Sequence, residues 1–277
     1  MTMSTFELKN NDFEKISRLV YEQCGIYLHE GKKELVKARL SKRLRAGSYK
    51  SFSEYYRYVT TEEGTNELVS MIDSISTNLT SFFREESHFA TLGHIILLAI
   101  EKTAHRGSRN NFKIWSAGCS TGEEPYTLAI TVKETVGQHS FDVSILATDI
   151  STKVLKIAEA GIYGQERIKN ISPEILKRYF QVGTGQSAGY VRIKNDIKKM
   201  ITYQRFNLMD RFHAQNNFDV IFCRNVMIYF DKKTQNILVN KFYDSLRSGG
   251  YFFVGHSESL TGLKHQFNYV EPSVYVK

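Results

Sequence analysis

A chain of 277 residues, 42% hydrophobic and 24% charged, carries enough apolar side chains for one large or two modest cores. Its longest apolar run, Ile95 to Ile100, is far too short to cross a bilayer, and MTMSTFELKN lacks the basic-then-apolar pattern of a secretory signal. Three scattered cysteines (Cys24, Cys119, Cys223) form no C-x-x-C and predict a reducing cytoplasm without a metal site, while the formal charge of +8 calls for an acidic partner.

Residues 1–87 read as helical. Phe13, Ile16, Leu19 and Val20 recur at helical spacing behind Asn11 or Asp12 as a cap. After Cys24-Gly25, residues 32–45 (KKELVKARLSKRLR) predict a helix with seven basic residues and one acid, its apolar stripe made by Val36, Leu40 and Leu44. Two readings stand for that charge, a solvated face or a surface for an acidic partner. Helices over Phe52–Val59 and Asn66–Ser74 complete a small bundle. The stretch TNLTSFFRE (77–85) has no clean period; packing accounts for Phe82 and Phe83 but less readily for Asn78, Thr80 and Arg84. An apolar helix from Phe89 to Ile100 and a polar tract to Asn111 make 88–111 a linker.

From Phe112 strands and helices alternate, which predicts a mostly parallel, doubly wound sheet over 112–277. Phe112–Ala117 is a buried strand that runs into small residues, Gly118 to Gly122, and then a helix to about 136. The turn is either a tight crossover or a place where a ligand meets the backbone N–H groups of a helix start. No G-x-G-x-x-G is present, and Glu123 and Glu124 in the first helical turn would repel a phosphate. A cationic nucleoside fits better, and S-adenosylmethionine bears a sulfonium and an ammonium but no phosphate.

The next strand, 143–147, ends in Thr148-Asp149, where a carboxylate can hold ribose hydroxyls or cap the helix at 152–160. Residues 162–200 interrupt the alternation with a short helix at Pro173 and a hairpin, 179–194, across GTGQSAG; its edges could accept a strand, or it is a surface excursion. Strands at 201–206 and 218–223 follow, then a helix at 232–246 capped by Asp231 and ended by Gly249-Gly250. A strand at 251–254 and two closing antiparallel strands, 267–270 and 273–276, end the chain. Cys119, Asp149, Asn207, Arg224 and His256 all fall beyond carboxyl ends of strands, where such sheets bind ligands.

TNLTSFFRE, WSAGCSTGEEPY, ATDIS, AGIYG, FDVIFCRNVMIYFD and GGYFFVGHSES, in this order, resemble the CheR-type chemotaxis receptor methyltransferases over nearly the whole chain. The resemblance implies an all-helical receptor-recognition domain, then a doubly wound S-adenosylmethionine-dependent methyltransferase domain with a small inserted β-subdomain. It implies methyl transfer to glutamates on cytoplasmic chemoreceptor helices, giving esters and S-adenosylhomocysteine during adaptation. Asn78, Thr80 and Arg84 would reach the cofactor, Glu123 its methionyl end, Asp149 the ribose, and Asn207 with Leu208 the adenine. Arg224 and Asn225 would line the pocket, with Tyr229 and Arg84 at the reacting centre. A glutamate is already ionised at neutral pH and needs no general base. The expected partners are receptor cytoplasmic domains, met by helix 32–45 and by the hairpin, with recruitment to membrane receptor arrays and no membrane insertion. Of the two rivals, a nucleic-acid methyltransferase lacks its usual Asn/Asp-Pro-Pro-aromatic motif or a Cys after Pro; a non-catalytic cofactor sensor would not need Arg84 and Tyr229.

Overall fold

The computed structural model describes residues 6–106, 111–212 and 217–277. It divides into two compact units, Met1–Thr77 with Tyr229–Thr234, and Asn78–Ile228 with Gln235–Lys277.

In the first unit, α1 (Asn10–Cys24) buries Phe13, Ile16, Leu19, Val20 and Cys24 on one face and stops at Gly25, whose φ of 74° suits glycine. Its N-cap is Lys9, without a side-chain bond, so neither Asn11 nor Asp12 has the expected role. A short 3-10 turn leads into α2 (Lys33–Ala46), which buries Val36, Leu40 and Leu44 as the stripe predicts. α3 (Phe52–Val59) starts where the Ser51 hydroxyl accepts the Glu54 N–H, and α4 (Thr65–Ile75) follows. The segment Tyr229–Thr234 joins this unit: the Tyr27 N–H donates to the Tyr229 carbonyl at 2.8 Å, and the Tyr21 hydroxyl donates to Asp231 at 3.0 Å.

The cations of α2 are not all available to a partner. Arg43 forks onto Glu67 of α4, which also accepts the Tyr55 hydroxyl at 2.7 Å. Arg39 donates to the carbonyls of Ile75 and Ser76, Lys33 to Asn10, and Lys37 pairs with Glu34. Lys32, Lys42 and Arg45 remain exposed.

The second unit holds a seven-stranded sheet of order β6-β2-β1-β7-β8-β10-β9. The strands are β1 (Phe112–Ala117), β2 (Val143–Asp149), β6 (Ile201–Arg205), β7 (Phe218–Cys223), β8 (Leu246–Val254), β9 (Asn268–Glu271) and β10 (Val274–Val276). The first five are parallel and the last two antiparallel. β7 is buried at every position, as a central strand apolar at all but one residue must be, and the exception, Asp219, accepts the Lys113 N–H at 2.6 Å and pairs with Arg247. Helices α5 (Ser87–Arg106), α6 (Glu123–Val136), α7 (Thr152–Ala160) and α10 (Lys232–Ser245) accompany the sheet. The helix expected at 89–100 thus begins earlier and runs longer, and positions 107–110 of the expected linker lie outside the described residues.

Three details differ from the expectation. Asn78–Glu86 contacts the second unit: the Phe83 N–H donates to Thr127, and the Phe82 ring meets Tyr163 and Phe180. The insertion contains the expected antiparallel hairpin, and a third strand completes its sheet. β5 (Tyr190–Ile193) lies between β4 (Phe180–Val182) and β3 (Ile162–Gly164), and the chain also forms α8 (Pro173–Tyr179) and α9 (Asn195–Lys198). Gly249 and Gly250 do not end α10; they lie within β8, where the Gly249 N–H donates to the Lys277 carbonyl and Gly250 accepts in return.

Glu67→Ala leaves Arg43 and Tyr55 without their acceptor. It should lower unfolding free energy by about 1–2 kcal/mol, reduced from the full value of a charged hydrogen bond because Arg43 is partly solvated. Urea titration followed by circular dichroism measures this, and an unchanged midpoint would mean the triad contributes nothing.

Candidate active site

Five parallel strands present their carboxyl ends on one side, and three of the turns there are stitched together by backbone bonds. The N–H groups of Gly118 and Cys119 both donate to the Thr148 carbonyl, at 2.8 and 2.9 Å, and the Phe206 N–H donates to the Asp149 carbonyl at 3.0 Å. The end of β2 is therefore bonded on one side to the turn after β1 and on the other to the exit of β6. The turn after β1 is the narrowest of these. It is tight: Gly118 has φ 86° and a Cβ there would collide with Val226, while Gly122 has φ 96° and a Cβ would lie 2.8 Å from that of Ala158. Four non-glycine residues of the second unit also adopt positive φ beside candidate site residues, namely Phe83 (53°), Glu85 (59°), Ser120 (49°) and Asn225 (58°). Such backbone is unfavourable and recurs where a site is pre-shaped.

Asp149, at the end of β2, accepts the Ser120 N–H and the Ser151 N–H, each at 2.9 Å. It does not cap α7, because Ser151 does. The Ser120 hydroxyl donates to the Asn78 carbonyl at 3.0 Å, drawing 78–84 to the glycine turn. Asn78, Thr80 and Arg84 are half-buried there, and the Arg84 guanidinium donates to the Leu79 carbonyl at 3.1 Å. Asn207 folds its side chain back to accept the Met209 N–H at 3.0 Å. Leu208 is buried, and Lys241 donates to its carbonyl and to those of Met209 and Asp210.

Glu123 is fully buried; its carboxylate accepts from the Thr121 hydroxyl at 2.6 Å and from Arg167 at 2.8 Å. Arg224 is also buried. Its guanidinium donates to the Arg84 carbonyl and lies 3.3 Å from Glu85 and 3.6 Å from Glu124, over the rings of Phe89 and Phe222. Asn225 is half-buried, donates its N–H to Glu258 at 2.8 Å and turns its amide to Glu85 at 3.4 Å. Tyr229 belongs to the first unit, on the 3-10 turn Met227–Tyr229, and is half-buried. Glu85, Glu124 and Glu258 had no assigned binding role from the sequence. Their signal was indirect, acids beside motif residues, and only the fold shows what they hold.

Burial raises the Glu124 carboxyl, opposed by Arg224 and by the Ser116 hydroxyl that donates to it. Burial, with Asp149 and Glu124 beside it, pushes the Cys119 thiol well up, which disfavours a thiolate nucleophile in the turn. Glu85, His88 and His256 offer ligand atoms within 4.8 Å of one another, but the Arg224 guanidinium already supplies positive charge to that Glu85 carboxylate.

Counted among the strands of the large sheet alone, the order is 3-2-1-4-5-7-6. That order, with a glycine turn after β1 and a carboxylate closing β2, defines an S-adenosylmethionine-dependent methyltransferase. The donors fit that cofactor: acids and backbone groups surround a turn with no room for a Cβ, and no lysine or arginine of the turn itself awaits a phosphate. Residues 78–276 match the family described as "CheR methyltransferase, SAM binding domain", and residues 11–76 the one described as "CheR methyltransferase, all-alpha domain". The chain is 41% identical over 273 residues to a chemotaxis protein methyltransferase of Borreliella burgdorferi, covering 98% of this chain and 95% of that one. It is 38% identical over 269 residues to the chemotaxis protein methyltransferase of Escherichia coli K12, covering 97% and 91%. The chain belongs to the CheR methyltransferase family and is a methyltransferase that uses S-adenosylmethionine.

Two outcomes follow from this geometry. Gly118→Ala should cost about 1–2 kcal/mol in backbone strain alone and weaken S-adenosylhomocysteine binding in calorimetry. Adding Val226→Ala should recover the steric part but not the strain; no recovery would mean the collision is unimportant. The second concerns His88, whose value falls to about 4 through burial, helped by Arg224 and opposed by Glu85. An unfolded histidine titrates near 6.5, so between about pH 6.5 and pH 4 the unfolded chain binds a proton that the folded chain refuses. Stability should therefore fall as the pH is lowered through that window, by at most about 1.4 kcal/mol per pH unit, and His88→Gln should flatten the slope measured by urea titration. An unflattened slope would assign the acid loss to other groups.

Proposed function

We propose that the protein methylates glutamate side chains on the cytoplasmic helices of chemoreceptors, giving γ-glutamyl methyl esters and S-adenosylhomocysteine. The observation that carries the reading is how the acids of the site are committed. Glu123 is held by Arg167, Glu85 and Glu124 lie against Arg224, and Glu258 accepts backbone N–H groups. A nucleophile that arrives already ionised suits such a site, and a glutamate does so at neutral pH. Relatives named chemotaxis protein methyltransferase, matched almost end to end, point to the same substrate class.

In this reading S-adenosylmethionine supplies an electrophilic methyl on sulfonium, and a glutamate oxygen bonds to that carbon as the carbon–sulfur bond breaks onto sulfur. Asn78, Thr80 and Arg84 would reach the cofactor, Glu123 would face its methionyl end, Asp149 the ribose, and Asn207 with Leu208 the adenine, while Arg224 and Asn225 would line the pocket. Arg84 would orient the incoming carboxylate by a charge-assisted hydrogen bond, and Tyr229 is the second residue proposed to act in catalysis. Their grip has to be moderate, because a nucleophile stabilised too well attacks more slowly. Charge cancels in the transition state, so alignment in a dry site contributes more than acid–base help.

The first unit would recognise the receptor. Of the cations on α2 and the turn before it, the exposed Lys32, Lys42 and Arg45 are free to meet an acidic helix, where they would steer encounter more than add affinity. The three-stranded sheet, with β3 and β4 at its edges, would take a receptor tail by strand addition.

Labelled S-adenosylmethionine, incubated with the protein and a purified chemoreceptor cytoplasmic fragment, should label the fragment, and mild base should release the label as methanol. Base-stable label would move the acceptor to another side chain. An unlabelled fragment would sink the receptor assignment.

A further inference from the structure

β7 and β8 are adjacent parallel strands, and their exits, at Cys223 and Val254, leave backbone N–H groups that no ladder satisfies. One side chain answers several of them. The Glu258 carboxylate accepts the N–H of Asn225 at 2.8 Å, of Ile228 at 3.1 Å and of Gly255 at 2.6 Å. It is 7% exposed, so these bonds form away from water, where an unmet N–H is expensive. A carboxylate accepts on both oxygens, which a glutamine amide cannot do.

A second observation is independent of the first. Gly255 has no room for a side chain: a Cβ would lie 2.5 Å from Asn225 Nδ2, 2.9 Å from the Asn225 backbone nitrogen and 2.9 Å from Glu258 Oε2. The turn from 255 to 258 is closed by the Glu258 N–H donating to the Gly255 carbonyl at 2.8 Å. The motif GHSE thus provides a glycine for close approach and, three residues on, the acid that closes the clasp. What it holds is Asn225, at φ 58° and with its amide toward Glu85.

We infer that Glu258 is the positioning residue for the loop after β7, its carboxylate holding Asn225 in the left-handed conformation from which Asn225 meets the cofactor. The inference rests on the placement of Asn225 in the cofactor pocket. Glu258 itself acts through Asn225 and is not a catalytic residue. A purely structural role would lower stability and leave the affinity of the folded protein alone; a positioning role changes that affinity.

The test is calorimetry of S-adenosylhomocysteine binding to the full chain, at a temperature where circular dichroism shows each variant folded. Glu258→Gln and Gly255→Ala, which break the clasp from opposite sides, should each weaken binding at least tenfold. Glu67→Ala, destabilised in the other unit, should bind like the unaltered protein. If Glu258→Gln does not fold, Gly255→Ala, with the carboxylate intact, decides the matter. Asn225→Ala separates the two levels of the argument. Weakened binding in Asn225→Ala with full affinity in the folded clasp variants overturns the inference and leaves the pocket assignment standing. Full affinity in Asn225→Ala overturns both.

Discussion

A buried guanidinium needs partners, and the active-site side of this molecule is arranged around that requirement. Arg224 leaves the end of β7 and is 6% exposed, its guanidinium 5.3 and 5.8 Å from the centroids of the stacked Phe89 and Phe222 rings. Taking such a charge out of water is tolerated only when opposite charge and hydrogen-bond acceptors surround it. Here they come from distant parts of the chain, Glu124 from the first turn of α6 and Glu85 with the Arg84 carbonyl from the segment before α5. The Arg224 guanidinium is thus turned toward the segment before α5 and the start of α6. Its effect is to set the backbone of Arg84, and with it the origin of the side chain assigned to the substrate.

The rest of the site follows from how a parallel sheet ends. Ladder bonds run out at the same level on every strand, and each exit must find new partners for its N–H groups. After β1 these are the Thr148 carbonyl and the Asp149 carboxylate, and after β7 and β8 the Glu258 carboxylate. Ser120 and Asn225 adopt positive φ at two of these exits, where the chain turns in very little space. Behind β1, Trp115 packs against Phe206, Phe212, Phe218 and Phe242 and donates to Thr148, which gives the exits a rigid base.

The helical unit shows how composition alone overstates a binding surface. Seven cations on one helix suggest a uniformly basic face, yet Arg43 and Arg39 hold α4 and its C-terminus, and Lys33 and Lys37 have partners within the unit. Arginine suits that work because its planar fork meets a carboxylate or two carbonyls at once. The charge left for a partner is smaller and more local, on Lys32, Lys42 and Arg45.

Periodicity and apolar content decide elements locally, and those were legible in the chain. β1, β7, α3 and α7 have the limits that their residues predict, and the motif order marks the methyltransferase family. Asp149 and the glycine turn could be placed at the exits of their strands by counting alone. Long-range pairing could not be read this way. Gly249-Gly250 looks like a helix stop until the Lys277 backbone is found bonded to both, and Ile162–Gly164 is too short to read as a strand until β5 lies beside it. Residues 78–86 look like the end of the helical bundle, and it is the bonds to Ser120 and Thr127 that assign them to the other unit. Glu258 carries no readable role in the chain, and nothing in the sequence names the partners of Arg224. Their roles depend on donors and acceptors that are adjacent only in the folded chain, and hydrogen bonding and charge burial are set by spatial neighbours rather than by sequence neighbours.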